Sequence, residues 1–150
     1  MSPLILETSS FENEGVIPRK FGYKEGNFSP ALKFQNIPEG TKSLVLIMDD
    51  PDAMGAVGKV WVHWVVWNIH PNDEFQENSI PSHCLEGKTD FGDNGYGGPA
   101  PPDKEHTYLF KLYALSSEID AKIDSSKNEI EELMKDKILE TAILKGRFAP

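Results

Sequence analysis

Imidazoles and carboxylates at three separated points are the side chains of this sequence best equipped for chemistry. Asp50 and Asp52 sit in the run Asp49-Asp50-Pro51-Asp52, His63 lies inside the apolar stretch 60–69, and His106 follows a loop rich in glycine and proline. A protonated imidazole beside a carboxylate and a row of backbone N–H groups can hold an anion. Two other chemistries compete for the same residues. Two histidines with aspartates are ligand types for a metal, although no His-x-x-x-His spacing supports that use. A hydrolase would need a nucleophile; the chain has no Gly-x-Ser-x-Gly elbow, and its one cysteine, Cys84, has no sequence neighbour to activate it. A phosphate loop of the Walker type is excluded, because no Gly-Lys-Ser/Thr follows the glycines. Anion or small-ligand binding accounts for the glycines as well as the histidines and ranks first. His70, just before a proline, and His83, in a polar stretch, read as surface residues.

The loop at 92–103 places Gly92, Gly95, Gly97 and Gly98 beside Pro99, Pro101 and Pro102. Glycine permits positive φ and close backbone approach, while proline fixes φ and removes a donor. The loop therefore reads either as a stiffened hairpin connection or as a ligand cradle with bare N–H groups. Strands must deliver the side chains to it. Residues 43–48 are nearly all apolar and predict a strand buried on both faces, ended by the acidic Asp-Asp-Pro-Asp turn. Residues 60–69 are β-branched and aromatic and predict a central strand. Strict alternation puts Trp61, His63, Val65 and Trp67 on one face and Val62, Trp64 and Val66 on the other. Residues 108–115 predict a third strand, and shorter ones are expected at 4–6, 16–18 and 31–34. Residues 54–59 read as a small loop.

Beyond Ser116 the period changes. Ile130, Leu133, Met134, Ile138, Ala142 and Ile143 recur at helical spacing and predict a C-terminal amphipathic helix, opened by a Ser126/Glu129 capping box and stopped at Gly146. Strands first and a helix last predict a mainly β, largely antiparallel sandwich, as a single domain over 1–150. A net charge of −9 argues against nucleic acid and anionic membrane as general partners, so an anion must be caught locally. A single cysteine, no basic leader and no long apolar run make the cytoplasm the expected location.

Five segments then appear in order: Asn-Phe-Ser-Pro-Ala-Leu-Lys-Phe (27–34), Asp-Asp-Pro-Asp-Ala (49–53), Val-His-Trp-Val-Val-Trp-Asn-Ile (62–69), Gly-Tyr-Gly-Gly-Pro-Ala-Pro-Pro (95–102) and His-Thr-Tyr-Leu-Phe-Lys-Leu-Tyr-Ala-Leu (106–115). Together they resemble the phosphatidylethanolamine-binding protein family, in its bacterial and archaeal Raf-kinase-inhibitor-like branch, over essentially the whole chain. The resemblance implies two antiparallel sheets in Greek-key order with a C-terminal α-helix, and a small pocket for phosphate-like anions or phospholipid head groups. Carried over by motif, that pocket includes Asp50, Pro51, His63, Gly98, Pro101, Pro102, His106 and Tyr108. The implied role is regulatory binding without catalysis or cofactor, with a kinase or protease as a possible protein partner and a homodimer as a possible assembly. A hydrolase or metal-dependent enzyme built on Asp50, His63 and His106 is the remaining alternative. Three positions depart from the family pattern: Thr107 stands for an arginine, Ala100 for a cysteine and Phe148 for a tyrosine.

Overall fold

Strand β4 (Ser43–Asp50) is buried at every position, and the molecule is assembled around it. In the computed structural model, which describes residues 2–150, β4 lies between β5 (Trp61–Ile69) and β7 (His106–Leu115), antiparallel to both. Its apolar run buries two faces because each carries its own core. Leu44, Leu46 and Met48 join Trp64, Val66, Tyr108, Phe110 and Leu112 on one side. Val45 and Ile47 join Val65 and Trp67 on the other. Shorter strands complete the architecture: β1 (Ile5–Glu7), β2 (Gly15–Val16), β3 (Lys33–Gln35), β6 (Leu85–Glu86) and the long β8 (Ile138–Phe148).

The large sheet has the order β2-β8-β7-β4-β5-β6, and β1 pairs with β3 in a small second sheet. Strands β4, β5 and β6 are consecutive neighbours and β7 returns to the side of β4, a Greek-key order. All pairings are antiparallel except β2 with β8, which is parallel. The small sheet contributes Leu6 and Phe34 to the first core, which is the sandwich layer expected from the sequence. The sole cysteine, Cys84, packs into this core, where burial and then the charges of Asp73 and Glu86 push its thiol up to about 12.

The helical reading of the C-terminal region needs correction. Helix α2 covers Lys127–Met134, eight residues, and its Ile130 and Met134 cap the second core. Lys135 takes an extended conformation and Asp136 turns left-handed at φ 66°, so the chain leaves the helix there. Ile138, Ala142 and Ile143 belong to β8, which pairs along the length of β7. The outer half of β8 is largely exposed, so its apolar residues fit a helical period although Ala142 and Ile143 fall on opposite faces; burial alternates from Glu140 onward, with Leu144, Gly146 and Phe148 buried. The helix thus precedes the last strand. A second difference is α1 (Ala53–Val57), a short helix in place of the expected loop, ended by Gly58 at φ 81°. Among the described residues, no helix is long and apolar enough to cross a membrane.

The start of α2 follows the sequence expectation closely. Ser126 Oγ accepts the Glu129 N–H at 3.1 Å, and Glu129 Oε1 accepts the Ser126 N–H at 3.0 Å. One residue further, the Lys127 ammonium reaches back to Asp49 Oδ2 at 2.8 Å, where Lys111 also binds at 3.0 Å. Removing the cap hydroxyl frees an N–H without disturbing the core. Ser126→Ala is expected to cost about 1 kcal/mol of unfolding free energy in urea titration, and an unchanged midpoint would contradict this account of the helix start.

Candidate functional site

A β-bulge in β5 aims the first site residue. Met48 pairs with Trp64 and Asp49 with Val62, so His63 is the extra residue between two consecutive partners on β4. Strict alternation would send His63 and Trp61 toward α2 with Val65 and Trp67. The bulge reverses that, as bulges do when they re-aim a side chain. Val62 now packs with the α2-side core, while His63 and Trp61 face the side carrying Tyr108. The His63 and Tyr108 rings meet edge to face with centroids 5.2 Å apart.

His63 is held in a fixed tautomer. Its Nδ1–H donates to the Gly97 carbonyl at 2.7 Å, and the Gly97 N–H returns a bond to the His63 carbonyl at 2.9 Å. Burial dominates its protonation and lowers its pKa to about 4, against weaker support from the Gly97 and Gly98 backbone and from Asp49 and Asp90. At neutral pH it is an uncharged imidazole.

His106 is the opposite case. Its Nδ1–H donates to Asp50 Oδ2 at 2.6 Å and its Nε2–H to Asp103 Oδ1 at 2.7 Å. Burial opposes the charge, but two carboxylates hydrogen-bonded to both nitrogens outweigh it, and the pKa of His106 is raised. An imidazole that donates from both nitrogens is an imidazolium. Burial also pushes the Asp50 carboxyl up, which His106 counters, so the proton is retained by the pair. Asp50 is itself anchored, since its Oδ1 accepts the Asp52 N–H at 2.9 Å. Asp52 in turn accepts the Thr107 N–H at 2.8 Å, tying the turn after β4 to the start of β7.

These side chains surround a cavity of about 190 Å³ lined by Asp50, Ala53, Ala56, Val57, Trp61, His63, Phe91, Ala100, Pro102, His106 and Tyr108. The Trp61 indole Nε1 is buried without a hydrogen-bond partner among the described residues, and the Tyr108 hydroxyl has the Asp50 carboxylate and the Ala100 backbone close by but no well-aligned bond to either. Burial, followed by the nearby charge of Asp50, also holds the Tyr108 phenol well above its ordinary range, so it remains a donor.

The structure brings together Asp50, His63, Pro102, His106 and Tyr108 at this cavity. It does not bring Pro51, Gly98 or Pro101 to its wall. Pro51 is exposed at the start of the turn, and Pro101 lines a groove on the far side of the loop with Arg19 and Phe148. The glycine N–H groups are not bare either. Gly98 donates to Asn27 Oδ1 at 2.8 Å, and a Cβ on it would stand 2.0 Å from the Phe21 carbonyl oxygen. The loop glycines near the site are there for close packing. Of the three departures, only Ala100 borders the cavity. Phe148 lies in the outer groove under the Arg19 guanidinium at 4.0 Å, and Thr107 contributes its backbone N–H. Sequence reading missed the α1 residues Ala53, Ala56 and Val57 as site residues, together with Trp61, Phe91 and the Asp103 carboxylate. The last carried a signal, since it stands three residues before His106.

The two histidines bias stability in opposite pH windows. His63, with its folded pKa depressed, contributes fully above its unfolded value of 6.5 and loses that contribution as pH falls toward about 4. The window corresponds to roughly 3 kcal/mol at most. His106, with its folded pKa raised, contributes below 6.5 and loses its contribution as pH rises through the folded value. Urea midpoints measured from pH 7 to pH 4.5 are expected to fall less steeply in His63→Gln than in the unaltered chain; parallel curves would show that burial of His63 is not the cause.

Residues 7–149 match the family described as "Phosphatidylethanolamine-binding protein". The UPF0098 protein of Methanothermobacter thermautotrophicus is 38% identical over 149 residues, covering 95% of this chain and 97% of that protein. The UPF0098 protein of Chlamydia trachomatis is 33% identical over 145 residues, covering 95% and 97%. Among solved structures, the phosphatidylethanolamine-binding protein homologue CT736 from Chlamydia trachomatis superposes with a TM-score of 0.91 at 32% identity, covering 98% of this chain and 97% of that one. E. coli YbcL, described as a new member of the mammalian PEBP family, gives 0.90 at 28%, covering 98% of each chain. With a match over nearly the whole chain, and relatives of the same length and fold, this protein belongs to the phosphatidylethanolamine-binding protein family.

Proposed function

We propose that the chain is a non-enzymatic, regulatory binding protein whose cavity takes a phosphate-like anion or a phosphorylated head group. The observation that carries this reading is the group of donors at the cavity: a His106 imidazolium beside the Tyr108 hydroxyl and the unpartnered Trp61 Nε1. The volume of about 190 Å³ is below the roughly 300–1,000 Å³ of drug-sized sites, which favours a head group or a modified side chain over a whole lipid. Among the described residues the cavity wall carries no Ser, Thr, Cys or Lys, which favours binding over catalysis by those nucleophiles. His106, its pKa raised by the two carboxylates, is held as the imidazolium, which has no lone pair to act as a general base.

Charge sets how such a ligand enters. Both N–H groups of His106 are taken, one by Asp50, whose side chain is 4% exposed, and one by Asp103, whose side chain is 42% exposed. An incoming anion competes with Asp103 for the Nε2–H, since an exposed carboxylate surrenders a hydrogen bond at little cost. Asp103, which stands outside the cavity wall, is then the ligand's competitor for His106. A second reading has the phosphoryl group belong to a partner protein such as a kinase or protease. It is favoured by Met54 and Val57, which are half exposed on α1 beside the cavity and offer an apolar rim.

Titration with O-phosphorylethanolamine followed by NMR is expected to shift His63, His106 and Tyr108. Asp103→Ala is expected to tighten binding by no more than a few-fold, because an exposed ion pair contributes little. His106→Gln is expected to weaken it by at least as much. Absence of shifts at millimolar ligand in both the unaltered chain and Asp103→Ala would overturn the anion reading. Under the partner reading, Met54→Ser weakens a phosphoserine peptide with apolar flanks and leaves O-phosphorylethanolamine unaffected.

A further inference from the structure

At the opposite end of β5 from the cavity, two histidines and an aspartate converge. The turn after the strand is closed twice: the Asp73 N–H donates to the His70 carbonyl at 3.0 Å, and Asp73 Oδ2 accepts the His70 N–H at 2.8 Å. His83 arrives from the next stretch, its carbonyl fixed by Asn68 Nδ2 at 2.9 Å. Its Nε2 lies 2.6 Å from the same Asp73 oxygen. The His70 and His83 rings stack with centroids 3.7 Å apart and planes within 10°. One nitrogen of each histidine and a carboxylate oxygen of Asp73 lie within 4.8 Å of one another.

We propose that His70, Asp73 and His83 form a binding site for a divalent transition-metal ion of the zinc class. Two imidazoles and one carboxylate are a donor set for Zn²⁺, Ni²⁺ or Cu²⁺, and a poor one for Ca²⁺ or Mg²⁺, which take oxygen ligands. Tetrahedral Zn²⁺ with bonds of about 2.0–2.1 Å sets its donors about 3.3 Å apart. The three donor atoms lie within 4.8 Å of one another, and the stacked rings must part and tilt so that their in-plane lone pairs converge on one ion. His70 is exposed and His83 and Asp73 are half-buried, so one side of the ion remains open to water. The backbones of all three ligands are already fixed by hydrogen bonds, which limits the ordering cost of binding. On binding, the proton between His83 and Asp73 gives way to the ion, because a ligating nitrogen needs its lone pair.

The ion would clip the turn at 70–73 to the stretch at 81–84. His70 lies seven residues beyond His63, just past the end of β5, so the site stands roughly 20 Å from the cavity and acts independently of it. Neither the family assignment nor the anion reading enters this argument.

The test uses the full-length, tag-free chain with Zn²⁺ as the titrant. Calorimetry is expected to give one ion per chain, reversed by chelator, with amide shifts confined to the neighbourhoods of residues 70, 73 and 83. Asp73→Asn and His83→Ala are each expected to lower the affinity at least tenfold. Co²⁺ is expected to give a d–d absorption band that Zn²⁺ abolishes, a readout on the unaltered chain that stands if a variant fails to fold. No binding at 1 mM Zn²⁺, shifts centred on His63 or His106, or unchanged affinity in a folded Asp73→Asn would each overturn the proposal.

Discussion

One residue too many in β5 decides what this protein presents to a ligand. Without the bulge at His63, the strand's apolar alternation would bury that imidazole against α2, where Val65 and Trp67 pack. With it, the strand keeps both its cores and still turns His63 and Trp61 into the cavity. β4 and β5 run in register from Met48 to Leu46, and a second shift follows between Leu46 and Leu44. On its other edge, β4 pairs with β7 without a shift from Ser43 to Asp49. A stiff strand pairing absorbs the irregularity and hands it on as side-chain direction.

The acidic run at the end of β4 shows how ordinary alternation distributes charge. Asp49 points to one face and is neutralised by Lys111 and Lys127, fastening the start of α2 to the sheet. Asp50 points to the other and holds His106. Asp52, past the proline, accepts a backbone N–H from the neighbouring strand. Burying two adjacent carboxylates is costly unless each has its own partners. Each does, and the partners come from different elements, so the run binds the helix, the cavity and the β7 edge to one segment of chain.

Much of this was legible in the residues. The core strands announced themselves through composition, and Ser126 with Glu129 marked the helix start. Asp50, His63 and His106 could be grouped as residues at strand ends before any geometry was known. What was hidden follows a physical pattern. The β8 segment lies at the exposed side of its sheet, so its apolar residues do not alternate cleanly and fit a helix as well as a strand. The bulge left no mark in residues 61–67, because both faces of β5 are apolar and either phase of the alternation suits them. The glycines around 97–98 were read as donors, whereas Gly98 is required by the Phe21 backbone packed against it, a contact that no local pattern records. Asp103 was passed over because a loop carboxylate has no meaning until the imidazole it caps is placed.

The buried sulfur of Cys84 has a consequence for covalent chemistry. Only the thiolate attacks disulfides and peroxides, and with its pKa pushed up to about 12 by burial the folded protein holds almost none of it at neutral pH. The adjacent His83 sits at the surface with Asp73, yet the sulfur one residue on is packed in the first core. Oxidants that reach the histidines therefore find no nucleophile behind them. Alkylation of this thiol proceeds only as fast as the chain around it opens, which makes the single cysteine an internal clock for the breathing of this end of the sandwich.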